Sequence, residues 1–200
     1  RPPPASSSGA CAIGSMPPTT RNGRLPRSAS LGDPPVTTLT TERLVGTRLR
    51  AKDVDMLCEL HRDPAVMATL GGVRTDEQTR AYLAENLEHW QEHGFGLWIF
   101  CDRTTGAFVG RGGLRHVVLE GQSEVEVTYA LTRETWGKGF ATEIATAALH
   151  VAFRQLGLQD LVAFAIPENA ASRHVMEKAG FRFERDIVHR DQRHVLYRIR

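Results

Sequence analysis

The chain has 200 residues, a formal net charge of +2, 41% hydrophobic and 24% charged residues, a balance suited to one domain with a substantial core. No apolar run approaches the ~18 residues that a membrane-spanning helix needs, no hydrophobic stretch near the beginning reads as a secretory signal, and a near-neutral body argues against a nucleic-acid-binding surface. The three cysteines, Cys11, Cys58 and Cys101, follow neither a disulfide nor a zinc spacing, which fits a reducing, cytoplasmic setting.

Residues 1–35 hold eight of the ten prolines and set Arg1, Arg21, Arg24 and Arg27 against Asp33 alone, a local +3 that leaves −1 for the remainder. Such a segment buries too little apolar surface to offset its ordering entropy. It reads as a disordered leader or extension, with residues 36–200 as a single domain. Within that domain the predicted order is β–α–α–α–β–β–β–α–β–α–β–β. A strand near 42–50 precedes helices near 53–62, 63–70 and 75–93, the last opened by Thr75 and Gln78 at capping-box spacing. Strands near 95–102, 106–119 and 123–131 form a meander, with turns at 102–106 and 120–122. A helix at 138–156 ends at Gly157 as C-cap. A strand at 160–166, a helix at 169–179 and a hairpin at 181–199, turning at Arg190-Asp191-Gln192, complete the chain.

The most informative stretch runs from Glu124 to Glu143. Its first half alternates and is β-branched, as a strand does. A short polar turn, Gly137-Lys138-Gly139, and a helix start follow. Backbone N–H groups without internal partners and the positive end of a helix dipole meet there, which suits an anion such as phosphate. About thirty residues on comes Asn169-Ala-Ala-Ser172, then Gly180-Phe181. Together the two segments resemble the acetyl-CoA site of the GNAT-type N-acetyltransferases, in the branch that includes the RimJ and RimL ribosomal-protein acetyltransferases. A third echo is Thr41-Glu-Arg-Leu44 leading to Leu49-Arg-Ala-Lys-Asp53. The likeness covers roughly residues 39–200.

That resemblance implies an α+β (mixed α/β) fold: a twisted, mostly antiparallel central sheet, splayed between its fourth and fifth strands and flanked by helices. It implies transfer of an acetyl group from acetyl-CoA to a primary amine by direct attack in a ternary complex, without a metal. By resemblance, backbone groups of Tyr129, Ala130 and Leu131 serve the pantetheine arm and thioester. Trp136, Gly137, Lys138, Gly139, Phe140, Ala141 and Thr142 serve the pyrophosphate. Asn169 caps its helix and bonds the pantetheine. Trp136 stands where most relatives carry Gln or Arg, and Met176 where many carry the tyrosine that protonates the departing thiolate. The acceptor is a protein N-terminal amine, as in RimJ and RimL, or a small molecule such as an aminoglycoside, polyamine or amino-acid derivative. No nucleic acid or membrane partner is implied, and the protein is a monomer or homodimer.

An amine nucleophile must first lose a proton. Glu126, on the strand before the phosphate loop, is the candidate base, although Glu124, Glu126 and Thr128 also fit the wet face of an antiparallel strand. Ser172 is the candidate partner of the departing sulfur, or an ordinary first-turn serine. Asp53, Asp55, Glu85, Glu88 and Glu92 supply negative charge on the helices that would meet a cationic amine. His89 and His93, four residues apart on a helix, have no evident third ligand and read as a solvated face. Arg111 in Gly-Arg-Gly-Gly113 reads as a bulge in a strand, and Trp90, Trp98 and Phe100 as core or cleft lining. Two other functions compete. A dinucleotide module needs its glycines nearer the strand end and a third glycine where Thr142 stands. A non-catalytic acyl-CoA-binding protein would keep the fold and release no CoA from any amine.

Overall fold

The computed structural model describes residues 36–200; the leader reading for residues 1–35 lies outside them. Eight strands form one sheet: β1 (Thr38–Thr40), β2 (Leu44–Arg48), β3 (Leu97–Asp102), β4 (Phe108–Leu119), β5 (Gln122–Leu131), β6 (Leu161–Ala165), β7 (Arg182–His189) and β8 (Gln192–Ile199). Their order across the sheet is β1-β2-β3-β4-β5-β6-β8-β7. Every neighbouring pair is antiparallel except β5 and β6, which run parallel and share one register pair, Glu126 with Val162. Beyond that pair the strands part, which is the expected splay. β1 was not expected: it precedes the strand predicted at 42–50, which is β2, and folds back on it across residues 41–43, with Thr38 opposite Thr47.

The helices are α1 (Val54–Arg62), α2 (Pro64–Met67), α3 (Asp76–His93), α4 (Phe140–His150) and α5 (Ala170–Lys178). The predicted capping box of α3 is present: Gln78 N–H donates to Thr75 Oγ1 at 3.2 Å, and Thr75 N–H to Gln78 Oε1 at 2.9 Å. Asp63 accepts from the N–H of Ala65 and Val66 and so starts α2. The helix expected over 138–156 is shorter, beginning at Phe140 and passing into a π-turn at Val151–Gln155, where Leu156 N–H donates to Val151 O. The β4–β5 and β7–β8 turns carry residues with positive φ, Glu120 and Gly121 in the first, Arg190 and Asp191 in the second, a geometry whose twist matches that of the strands.

Each face of the sheet packs its own helices. α4 and α5 lie over Trp98, Phe100, Leu114 and Val127, which with Ile144, Ala148 and Met176 make the larger core. Gly112 has no room for a side chain because Ile144 sits where a Cβ would be, so α4 approaches the sheet closely. On the other face Leu57 of α1 and Tyr82 and Leu83 of α3 cover Leu97 and Ile99. Trp90, Trp98 and Phe100 are core residues, each 2% exposed or less. Both helical layers thus rest on β3–β5, and the parting of β5 from β6 falls between them.

Candidate active site

Where β5 and β6 diverge, a cleft of about 1490 Å³ opens. Ordinary small-molecule pockets hold ~300–1,000 Å³, so this one has room for two reactants. Gly137, Gly139 and Phe140–Thr142 line one end, Tyr129–Leu131, Asn169 and Ser172 the middle, and Tyr82, Arg111, Arg115 and Glu126 the other end.

The glycine end is made of backbone. Gly137 and Gly139 have φ of 73° and 81°, a left-handed conformation that side-chain-bearing residues adopt at a cost. Gly139 is the N-cap of α4, and among the described residues no side chain caps this helix. The first backbone bond of α4 runs from Glu143 N–H to Gly139 O at 3.2 Å, so the N–H groups of Phe140, Ala141 and Thr142 stand ahead of it, open to an anion. Trp136, half exposed, donates its indole N–H to Leu131 O at 3.0 Å and so fixes where the loop leaves β5. Lys138 is exposed and off the cleft wall.

A clamp behind the loop had no counterpart in the sequence reading. Arg43 donates from Nη1 to Lys138 O at 2.8 Å, pairs with Glu143 through Nε and Nη2, and lies over the Phe140 ring. Glu143 also accepts from Thr41 Oγ1 at 2.5 Å and from Arg43 N–H at 2.8 Å. Burial pushes the Glu143 carboxyl up, but the Thr41 and Arg43 donors outweigh it and leave the group below its ordinary value. Arg43 thereby neutralises a carboxylate beside the open N–H groups at the start of α4. Thr41-Glu-Arg-Leu44 pointed to this segment, but only the packing of the bend between β1 and β2 against the start of α4 shows its role.

In the middle, β5 offers an unpaired edge. Thr132 N–H reaches Val109 O on β4, so by strand alternation Ala130 and Thr128 also turn their backbone to β4, and Leu131 and Tyr129 turn theirs to the opening. Ala130 therefore does not present its backbone to the cleft; its methyl packs with Leu60, Val66 and Met67. Leu131 O is taken by Trp136, which leaves the Leu131 N–H. Across the opening Asn169 Oδ1 accepts from Ser172 N–H at 3.0 Å, the expected cap, while Asn169 Nδ2 donates to Thr69 Oγ1 at 3.0 Å. Tyr129 OH is 3.0 Å from Ser172 Oγ and 3.1 Å from Ser172 O. Burial pushes this phenol up to about 12, against the Ser172 bond, which lowers it; it keeps its proton at neutral pH. Met176 is 1% exposed and belongs to the core. The sequence had suggested only the backbone of Tyr129.

At the far end Glu126 is 4% exposed, which overturns the wet-face alternative: the helices α1–α3 cover this side of β5. Thr128 is also buried, and Glu124 pairs with Arg198 at 2.8 Å. Glu126 Oε2 accepts from Nε of Arg115, its cross-strand neighbour, at 2.5 Å. That pairing, above all its Coulombic attraction, holds the Arg115 guanidinium ionised beyond its ordinary range. The other oxygen of Glu126 has no partner among the described residues. Of the five acidic candidates on the helices only Glu85 lines the cleft; Asp53 is buried and accepts from Arg50 N–H.

His116 supplies the third imidazole that the sequence did not show beside His89 and His93, with ligand atoms within 4.8 Å of one another. His89 is not the solvated residue expected: Nδ1 bonds Phe95 O at 2.9 Å and Nε2 accepts from His116 N–H at 3.0 Å. Both of its nitrogens are engaged, so it has no lone pair to give an ion. The bulge expected at Arg111 falls just before it, where the β3–β4 register shifts opposite Val109.

Residues 43–182 match the family model described as an acetyltransferase (GNAT) domain. The protein YkkB of Bacillus subtilis is 34% identical over 64% of this chain and 74% of its own length. Among solved structures, an acetyltransferase of Agrobacterium tumefaciens superposes with a TM-score of 0.73 at 27% identity, over 82% of this chain and 95% of that one. RimL, a ribosomal L7/L12 α-N-protein acetyltransferase solved with coenzyme A, gives a TM-score of 0.67 at 17% identity over 81% and 97% of the two chains. An aminoglycoside acetyltransferase, also with coenzyme A, gives 0.64 at 19% over 78% and 92%. The last two likenesses are of fold alone.

Proposed function

This chain belongs to the GNAT acetyltransferases, acetyl-CoA-dependent N-acetyltransferases, and on that premise we propose how its own residues divide the reaction and what kind of amine it takes. The observation that carries the reading is a single cleft with an uncapped helix start at one end, a strand edge with free N–H groups in the middle, and a buried carboxylate at the other. The N–H groups of Phe140, Ala141 and Thr142 hold the pyrophosphate, and the turned edge of Tyr129 and Leu131 holds the pantetheine arm. The Leu131 N–H faces the thioester oxygen, where a positioned donor contributes on the order of 3 kcal/mol as charge develops. Asn169 is committed to its cap and to Thr69, so any bond to pantetheine requires Nδ2 to leave Thr69.

The free oxygen of Glu126 takes the proton of the amine, directly or through one water. The neutral nitrogen attacks the thioester carbon, the C–S bond breaks, and the proton the nitrogen now carries in excess passes to the sulfur through Ser172 Oγ, which gives up its own proton and takes that one, so the serine ends as it began. The Tyr129 phenol, protonated and in contact with that oxygen, orients it. Met176 supplies no acid, and this pair does the work that a tyrosine there would do. The acceptor is a primary amine: a protein N-terminus, as RimJ and RimL kinship suggests, or a small molecule. The arginine-lined far end favours the small molecule. Release of CoA measured against protein N-termini, peptides, aminoglycosides and amino-acid derivatives tests both readings. An absence of release with every amine would leave an acyl-CoA-binding protein.

A further inference from the structure

Beside Glu126 three elements bring together groups that the transfer chemistry does not use. Arg74 leads into α3, Tyr82 lies on α3 and Arg111 lies on β4. The Arg74 guanidinium sits 4.6 Å from the Tyr82 ring centre and that of Arg111 5.4 Å from it, so two cations share one ring. Arg111 is 4% exposed. Its Nη1 reaches Thr128 Oγ1 at 3.3 Å, while its Nε, Arg74 Nη1 and Tyr82 OH are buried and have no hydrogen-bond partner among the described residues. Arg43, Arg115 and Arg198 all have carboxylate partners; among the described residues Arg74 and Arg111 have none. Of the carboxylates lining the cleft, Glu126 is committed to Arg115 and Glu85 and Glu168 pair with neither guanidinium.

A buried guanidinium is costly unless an anion meets it. Its planar fork fits a carboxylate through two parallel bonds. The surroundings agree that the anion is not supplied by the protein. His61, next to both, is held down to about 3 by burial first and then by Arg111 and Arg74, so it is neutral. Arg74 is itself lowered, chiefly by burial and, against the help of Tyr82, by Arg111, Arg190 and Arg115. Thr128, the partner of Arg111, is two residues from Glu126 on the same face of β5, about 7 Å along the strand. An amine at Glu126 and an anion at Arg111 would then belong to one small molecule.

We propose that Arg74 and Arg111 form a carboxylate-binding subsite, and that the acceptor is an amino-acid-like molecule whose amine and carboxylate are separated by a few bonds. This rests on the acetyltransferase reading and narrows its acceptor. Tyr82 contributes its ring as a spacer and its hydroxyl as a further donor.

The test is CoA release by the full chain with the common amino acids and their matched carboxamides. At least one acid should exceed its amide by about 10–100-fold in kcat/KM, the usual worth of a hydrogen bond to a charged group. Arg74→Gln should cut that ratio at least tenfold through KM, with acetyl-CoA affinity retained; Arg111→Lys, which keeps the charge and loses the fork, should cut it less. Amides used as well as acids, as when a free anion fills the site, would overturn the proposal, and so would a preference that survives Arg74→Gln. Turnover confined to peptides or aminoglycosides would overturn it while sparing the acetyltransferase reading. If no amine releases CoA, calorimetry with N-acetyl amino acids decides: binding lost in Arg74→Gln upholds the subsite, and no binding by any of them removes it.

Discussion

The two ends of the cleft are built from different material. At the glycine end the donors are the backbone N–H groups of three consecutive residues, Phe140, Ala141 and Thr142, and side chains matter chiefly by keeping away. At the far end the groups are side chains delivered by elements remote in sequence: Arg74 before α3, Tyr82 on α3, Arg111 and Arg115 on β4, Glu126 on β5. On the proposed reading that end meets a pyrophosphate, which any backbone of the right shape can do whatever side chain, such as that of Trp136, stands beside it. An acceptor is met by charge and hydrogen bonds, which are the features that differ from one amine to the next.

Single substitutions should break the two ends in different currencies. The largest effect is expected from Glu126→Gln. Its amide oxygen can still accept from Arg115, so the fold and acetyl-CoA affinity should hold while turnover falls roughly 10²–10⁴-fold. Since an alkyl ammonium has a pKa near 10 and an α-ammonium near 8, much of the loss should return at high pH, where solvent deprotonates the amine. Near-normal turnover at pH 7 would put the base elsewhere. Gly139→Asp should do the reverse. A side chain in left-handed backbone costs ~1–2 kcal/mol, and a carboxylate beside a pyrophosphate repels it. Acetyl-CoA affinity measured by calorimetry should drop on the order of 10²-fold, with the melting temperature within a few degrees of the parent. Retained affinity would move the cosubstrate site away from α4.

The contrast also explains what the sequence could show. The strand–turn–helix from Glu124 to Glu143 and the Asn169–Phe181 segment are local, and their elements stand close to where periodicity put them. Gly157, Thr75 with Gln78 and the Arg190-Asp191 turn were legible because caps and turns are set by a few adjacent residues. The pairing of Glu126 with Arg115 was not, because register between β4 and β5 decides it. Burial of Glu126 depends on α1–α3 lying over that face, and an alternating strand reads alike whether the face is wet or covered. His116 joined His89 and His93 for the same reason. The π-turn after His150 has no periodic signature, since Val151–Gln155 keep apolar spacing while the backbone bond slips by one residue.

A smaller effect should follow from Arg43→Leu. It removes the donor to Lys138 O and leaves Glu143 unneutralised one turn from the phosphates. Acetyl-CoA affinity should fall about tenfold, in the range of a lost charge-assisted bond, with little change in kcat at saturation. Glu143→Gln in the same background should restore part of the loss, because the unpaired charge is gone. If affinity is unmoved by Arg43→Leu, the loop holds its shape unaided and the clamp belongs to stability alone.

The smallest effect, and the one that ties the two ends together, is expected at Tyr129. Its hydroxyl touches Ser172 from the sheet, between the backbone-built and side-chain-built halves. Tyr129→Phe keeps the ring and the free backbone edge, so acetyl-CoA affinity should be unchanged. What is lost is one neutral hydrogen bond orienting Ser172 Oγ, worth about 0.5–1.5 kcal/mol, and kcat should fall roughly 2–10-fold. Ser172→Ala removes the proton donor itself and should lower kcat further, and adding Tyr129→Phe to it should cost almost nothing more, because the phenol acts through the serine. Additive losses would mean that Tyr129 reaches the sulfur by its own route. The pH profile discriminates again: a phenol pushed to about 12 by burial stays protonated across the working range, so neither variant should move the acidic or basic limb. A limb that shifts in Tyr129→Phe would make the tyrosine a titrating acid and not an orienting one.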